Sequence, residues 1–330
     1  MSKKLLHGLG LLLLAYIIYK VGPARLANLL RHADLPLLLL AVGMLLPITV
    51  VFSLRFYLLL REHGLPIGLA SVVRYSLLGQ YYGFITPGKV GSFVRVYLIS
   101  TERGIPLRCS FFPVLYDRLG DILGMGLLAF LGSVVLFKHN SIFLIVSCAL
   151  MASFAIAVAV VMKRREVLRG AAAVLRVIVP KRIYDQAMAS SRDLGSQVPA
   201  SACIWACALL SVAGWALIFF QGWLVALNFT RRVPLLDYLF VAPIASVVGL
   251  VPVTVSGFGT REAFFLYLMT FYGVAGSSAL LISLMAYFVN AGIPSLVGAL
   301  VAVFELAQAK GANATLARSE SRPVSERESR

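Results

Sequence analysis

Residues 252–262 read PVTVSGFGTRE. A proline, two glycines two positions apart and an Arg-Glu pair interrupt an apolar stretch. DYLFVAPIASVVGLV (237–251) precedes them and AFFLYLM (263–269) follows. Hydrocarbon offers backbone N–H and C=O groups no partners, so irregular backbone at membrane depth must be covered by protein or line a watery cavity. How this stretch is read decides between a plain bundle of spanning helices and a fold in which the chain turns back inside the membrane.

Working outward, GQYYGFITPGKVGSFVRVYLI (79–99) carries the same succession of residues. Pro66 and Pro234 open the two regions. Gly83 and Gly249 come next, then Pro87 and Pro252. Gly88 and Gly91 in one copy answer Gly257 and Gly259 in the other. Arg95 and Arg261 close them. Gly/Pro-interrupted apolar segments at corresponding positions of two halves point to a transporter binding site. The competing reading is that Pro and Gly merely kink ordinary spanning helices, which tolerate both. It leaves the arginine in each copy without an explanation.

The chain has 330 residues, 60% hydrophobic and 13% charged, with no room for the roughly 25% charge of a soluble domain. Apolar runs near the roughly 20 residues that span a bilayer fall at about 5–22, 36–60, 110–137, 141–162, 200–228 and 278–305. The expected fold is an all-α polytopic membrane protein. It has about six full transmembrane helices plus two opposed re-entrant helical hairpins in an inverted repeat, with halves at about 36–137 and 200–305. The transmembrane domain covers 1–308, and the polar stretch 309–330 is expected to be disordered.

The net charge of +16 lies mostly between apolar runs, so the positive-inside rule accounts for it and nucleic acid is not an expected partner. Residues 163–198 form the strongest basic segment, read as an amphipathic helix on the cytoplasmic surface or as a solvated loop. Lys3, Lys4 and this segment place both termini in the cytoplasm; Arg231 and Arg232 run against the rule. Cys109, Cys148, Cys203 and Cys207 show no metal-ligand spacing, and no metal or cofactor is expected. No His, Cys or activated-Ser arrangement supports catalysis, so the protein is not expected to be an enzyme.

Charges at membrane depth cost several kcal/mol (about +2.5–3.5 on insertion scales), so they are paired or face a cavity. Arg95, Arg261, Glu262, Asp117 and Arg118 are the candidates for one polar cluster, which Arg74 and Tyr116 could join; Asp121 lies one helical turn from Asp117 on the same face. A structural role as Arg–carboxylate pairs is the alternative. An arginine fork suits phosphate, which favours Arg95 and Arg261 as headgroup ligands. Arg55, near the end of its span, is read as snorkelling to the interface.

The segments 79–99, YDRLGD (116–121) and PVTVSGFGTREAFF (252–265) together resemble the lysylphosphatidylglycerol synthase transmembrane-region family, the flippase-like domain of the multiple peptide resistance factor. The resemblance covers about residues 5–308. It implies a polytopic inner-membrane protein that moves a lipid between leaflets. Pro87, Gly88, Gly91 and Arg95 match its first motif, Asp117 and Arg118 its second, and Gly257, Gly259, Arg261 and Glu262 its third. Lys89, Ser92 and Ser256 stand where further glycines are expected. Full-length members add a soluble aminoacyl-transferase domain after the membrane part, and this chain is expected to be a stand-alone member without it. The expected substrates are lipids with anionic headgroups: phospholipid, isoprenoid or glycolipid. The expected partners are a lipid-modifying enzyme and a second copy of the chain. Acting as a lipid-presenting subunit, or as an intramembrane transferase, are the alternatives.

Overall fold

The computed structural model describes residues 31–136, 199–249 and 259–320, together with Tyr19, Ala24, Asn28 and Leu29. The expected spans at 5–22 and 141–162, the basic segment 163–198, and Pro252 and Gly257 lie outside the described residues. All regular structure among the described residues is helical.

Helix α1 (Leu35–Gly43) starts at Asp34, whose carboxylate accepts the Leu37 N–H at 3.4 Å. Pro36 sits in the first turn, where its missing N–H has no partner to lose. A turn at Met44 leads to α2 (Leu45–Glu62). Then follow α3 (Leu69–Ile85), a 3₁₀ turn (Pro87–Phe93), α4 (Val94–Arg103) and α5 (Leu107–Leu136). The second described part contains α6 (Ser201–Ala226), α7 (Leu235–Val248), α8 (Thr260–Thr270) and α9 (Gly276–Tyr287). A π turn (Phe288–Gly292) joins α9 to α10 (Ile293–Glu320).

Leu35–Glu62, Cys109–Leu136, Ser201–Ala226 and Gly276–Glu305 are long and apolar enough to cross a membrane. They coincide with four of the expected spans. The shortest has 26 residues, about 39 Å of helix against a hydrocarbon core of roughly 30 Å. Leu46, Val50, Trp205, Leu209, Leu296 and Leu300 are exposed on them, as befits side chains whose solvent is lipid.

Both broken regions consist of short helices. The 17-residue α3 ends at Thr86, which is extended (φ −107°, ψ 141°), and the 10-residue α4 follows the 3₁₀ turn. The 14-residue α7 and 11-residue α8 flank the second break. Ten residues of helix extend only about 15 Å. A single kinked spanning helix does not describe the first region.

The two parts are packed alike. In the first, α2 contacts α3 and α5, and α4 lies on α5. In the second, α6 contacts α7 and α9, and α8 lies on α9. Each has its own apolar core. Phe56, Leu60, Val72, Tyr75, Val96, Ile99 and Phe112 fill one; Phe219, Tyr238, Val241, Phe265, Leu268 and Ile282 fill the other. The parts also exchange helices: α3 packs on α10, and α7 on α5. At these crossings a Cβ on Gly298 would come within 2.2 Å of the Leu77 carbonyl oxygen, and one on Gly132 within 2.6 Å of the Phe240 carbonyl oxygen. Glycine lets the helix backbones touch. Gly132 and Gly298 are separated by as many residues as Gly83 and Gly249, or Arg95 and Arg261.

The final helix departs from expectation. It runs past residue 309 to Glu320, into the segment read as disordered. The sequence AQAKGANATLARSE (307–320) is rich in Ala, with Leu, Lys, Arg and Glu, all strong helix formers. Low apolar content removes a packed face, but not the intrinsic propensity to continue an existing helix.

Candidate functional site

Local sequence explains how the first arginine is delivered. Thr86 Oγ accepts the Gly91 N–H at 2.7 Å and donates to the Tyr82 carbonyl at 2.7 Å, closing the 3₁₀ turn that Pro87 and Gly88 open. A Cβ on Gly91 would lie 2.1 Å from the Tyr82 carbonyl oxygen, so the turn requires glycine there. Arg95 then emerges in the first turn of α4 and is buried, 2% exposed. Its guanidinium stacks over Phe56 at 4.5 Å.

Arg95 meets Asp117 and Arg118, as the sequence reading expected. Arg95 Nη2 lies 2.9 Å from Asp117 Oδ2, an ion pair aligned too poorly to be a hydrogen bond. Arg118 Nη2 reaches the same oxygen at 3.0 Å, and Arg118 Nη1 reaches Asp121 Oδ2 at 3.0 Å. The i, i+4 spacing of Asp117 and Asp121 puts both carboxylates on one face of α5.

The hub of the cluster is a residue the sequence reading set aside. Arg55 does not snorkel; it is 1% exposed and points inward from α2. Its Nη2 donates to Asp117 Oδ1 at 2.6 Å and to Asp121 Oδ1 at 2.7 Å, its Nε to Asp117 Oδ1 at 3.0 Å, and its Nη1 to Ser211 Oγ at 2.9 Å. Its place near the end of α2 suggested an interface. The signal that could have found it is the converse: it is a lone cation in a span of uncharged residues, which by default marks a functional position.

Arg261 and Glu262 are not in this cluster, which corrects the expectation of a single one. Arg261 pairs with its own neighbour Glu262, which is fully buried. Glu262 Oε2 also accepts the Gly259 N–H at 2.7 Å, capping α8, and Gly259 holds φ +89°. The Arg261 guanidinium lies 4.1 Å from the Tyr287 ring centroid. Tyr287 also stacks on Phe84 at 6.0 Å. Arg74 is also elsewhere, paired with Glu102 and Glu305, and Tyr116 packs against His63.

A cavity of about 140 Å³ opens over the first cluster. At roughly 30 Å³ per water that is room for about four or five waters. Its charged lining is Arg55, Lys89, Arg95 and Arg118 against Asp117 and Asp121. Leu45, Ile48, Phe52, Leu77, Trp215 and Ile218 supply an apolar side. Ser53 and Ser92 line it with buried hydroxyls that have no hydrogen-bond partner, and the buried Arg118 Nε has none either. Such groups are costly unless a guest or water meets them.

Lys89 was expected to be glycine and behaves like one. Its φ is +56°, the one positive value at a non-glycine among the described residues. That backbone costs an L-residue about 1–2 kcal/mol. A narrow crevice extends from the cavity past Lys89 and Arg118 to Tyr287. Among the described residues no three His, Cys, Asp or Glu side chains converge as a metal site, and Asp117 and Asp121 are already engaged by guanidinium groups. The excess of basic groups and the unpartnered hydroxyls suit binding an anion.

The comparisons agree with the motifs. The profile of the lysylphosphatidylglycerol synthase TM region matches residues 4–314. A UPF0104 membrane protein of Methanothermobacter thermautotrophicus is 28% identical over 112 residues, 33% of this chain and 33% of that protein. The alignment thus spans about a third of that relative's length. The chain belongs to the lysylphosphatidylglycerol synthase TM-region family.

Proposed function

We propose that this family member carries a phosphate-bearing lipid between the leaflets of the inner membrane, without chemistry of its own. The observation that carries the reading is the cavity: basic residues in excess of acidic ones, orphaned hydroxyls and an apolar side, all within a membrane-spanning helix bundle. A headgroup phosphate would meet Arg95 and Arg118, with Arg55, Asp117 and Asp121 holding them in place. A guanidinium offers phosphate a rigid fork of donors. The tails would remain among apolar side chains and lipid.

The packing supports an inverted repeat with opposed re-entrant hairpins. Corresponding helices make corresponding contacts, and each hairpin's first arm lies on the last helix of the other half. One correspondence is missing. Helix α5 packs closely on α6, whereas α10 has no comparable contact with α2. The cavity is lined on that open side by Leu45, Ile48 and Thr49 of α2 and Pro294 of α10. A lipid entering sideways needs such a gap. Both termini would face the cytoplasm.

Purified protein reconstituted into liposomes with labelled phospholipid and polyprenyl-phosphate lipids tests this. Wild-type protein should accelerate leaflet exchange of a phosphate-bearing lipid. Binding without exchange would instead make the protein a subunit that presents lipid to a partner enzyme.

A further inference from the structure

Charge within the cavity is not balanced. Four cations, Arg55, Lys89, Arg95 and Arg118, face two carboxylates, Asp117 and Asp121, an excess of two positive charges. The neighbouring Arg261–Glu262 pair is neutral and supplies no further counter-charge. Uncompensated charge in a membrane-embedded cleft is unfavourable unless a guest of opposite sign or water meets it.

The cations differ in what they have left to give. Arg55 is used up on Asp117, Asp121 and Ser211. Arg95 holds Asp117 at a poor angle and gives its Nε to the Ser92 carbonyl at 3.2 Å. Arg118 retains a buried Nε without a partner. Lys89 makes no ion pair among the described residues, yet it lines both the cavity and the crevice beside it. It also occupies a left-handed backbone position where glycine would sit without strain. An exposed lysine kept at a strained backbone position, lining the same cavity as the unpartnered Ser53 and Ser92 hydroxyls, indicates a second anionic charge to be met.

We propose that this cavity selects a dianionic head, a terminal phosphomonoester or a diphosphate, over a monoanionic phosphodiester, and that Lys89 sets the preference. A phosphomonoester carries about −1.5 to −2 at pH 7, whereas a phosphodiester carries one charge. The inference rests on the reading of the cavity as a lipid-phosphate site.

The test compares phosphatidic acid with phosphatidylglycerol of identical acyl chains, binding to the full-length protein in detergent at pH 8. Wild type should bind phosphatidic acid at least about tenfold more tightly, the gain of one close charge pair. In Lys89→Gly the ratio should fall to about twofold or less, and Lys89→Arg should restore it. Lys89→Gly suits the φ of that position, so its thermal midpoint should not drop and loss of fold cannot imitate the result. Equal binding of the two lipids by wild type, or a ratio unchanged in Lys89→Gly, overturns the proposal. Inorganic pyrophosphate serves as competitor. If it binds with the same Lys89 dependence while neither lipid binds, the role of Lys89 toward a multiply charged phosphate stands and the lipid reading falls. A retained preference without leaflet exchange in liposomes supports the site and removes the transport role.

Discussion

Arg95 and Arg261 hold the same place in the two halves, yet their surroundings differ in kind. Arg95 shares Asp117 with Arg55 and Arg118 on the wall of a cavity. Arg261 is satisfied by the adjacent Glu262 and covers Tyr287. The same spacing that relates the arginines relates Asp117 to Ser283, Asp121 to Tyr287 and Arg55 to Gln221. Ser283 Oγ donates to Glu262 Oε1 at 3.5 Å, and Gln221 donates to the Ala41 carbonyl at 2.7 Å and accepts from Asn290 at 3.2 Å. One half thus places charge where the other places neutral polar or aromatic side chains at equivalent positions. Each part places an arginine in the first turn of a short helix, and the partners decide which arginine faces a cavity.

The largest expected effect tests the asymmetry through stability. Asp117→Asn removes the carboxylate shared by three guanidinium groups and should destabilise the protein by about 3–5 kcal/mol, because it leaves buried charge unpaired. A thermal midpoint in detergent close to wild type would show that water, not Asp117, balances these cations. The helix crossings probe what the halves have in common. Gly132→Ala and Gly298→Ala should each cost about 1–3 kcal/mol, and nearly the same amount, since both force a methyl against a carbonyl of the partner helix. Unequal losses would break the correspondence of the two crossings.

Glu262→Gln should cost less than Asp117→Asn, about 0.5–2 kcal/mol. It keeps a hydrogen-bonding side chain at the start of α8 and frees only one guanidinium, itself partly exposed. A loss as large as that of Asp117→Asn would mean the second site also bears concentrated charge. The smallest effect is of opposite sign. Lys89→Gly should be neutral to stabilising by up to about 1 kcal/mol, as backbone strain is relieved and chain entropy partly offsets the gain.

Much of this was legible in the sequence. The four described spans follow from uninterrupted apolar runs, and the paired breaks follow from Pro, Gly and Arg in one order. Arg95, Asp117 and Arg118 could be grouped because a charge at depth needs a partner. Arg55 could not be placed, because snorkelling and inward burial differ by a rotation about the helix axis that its flanking residues do not fix. Arg261 and Glu262 pair with each other rather than with Asp117 or Arg118, a choice of partner that spacing along the chain does not reveal. The Arg261 guanidinium covers Tyr287, which comes from another helix. In the sequence Lys89 reads only as a departure from glycine. Its importance lies in the backbone angle and in the cavity it lines, both tertiary properties.

Leaflet exchange of a labelled phosphate-bearing lipid, measured in liposomes with wild type, Arg95→Gln and Arg261→Gln at matched protein content, tests the central claim most directly. Exchange should fall by about tenfold or more in Arg95→Gln, a loss of ~1.4 kcal/mol or more of stabilisation, and stay within about threefold of wild type in Arg261→Gln. Equal losses in the two variants, or a larger loss in Arg261→Gln, would contradict the assignment of the headgroup site to the first half.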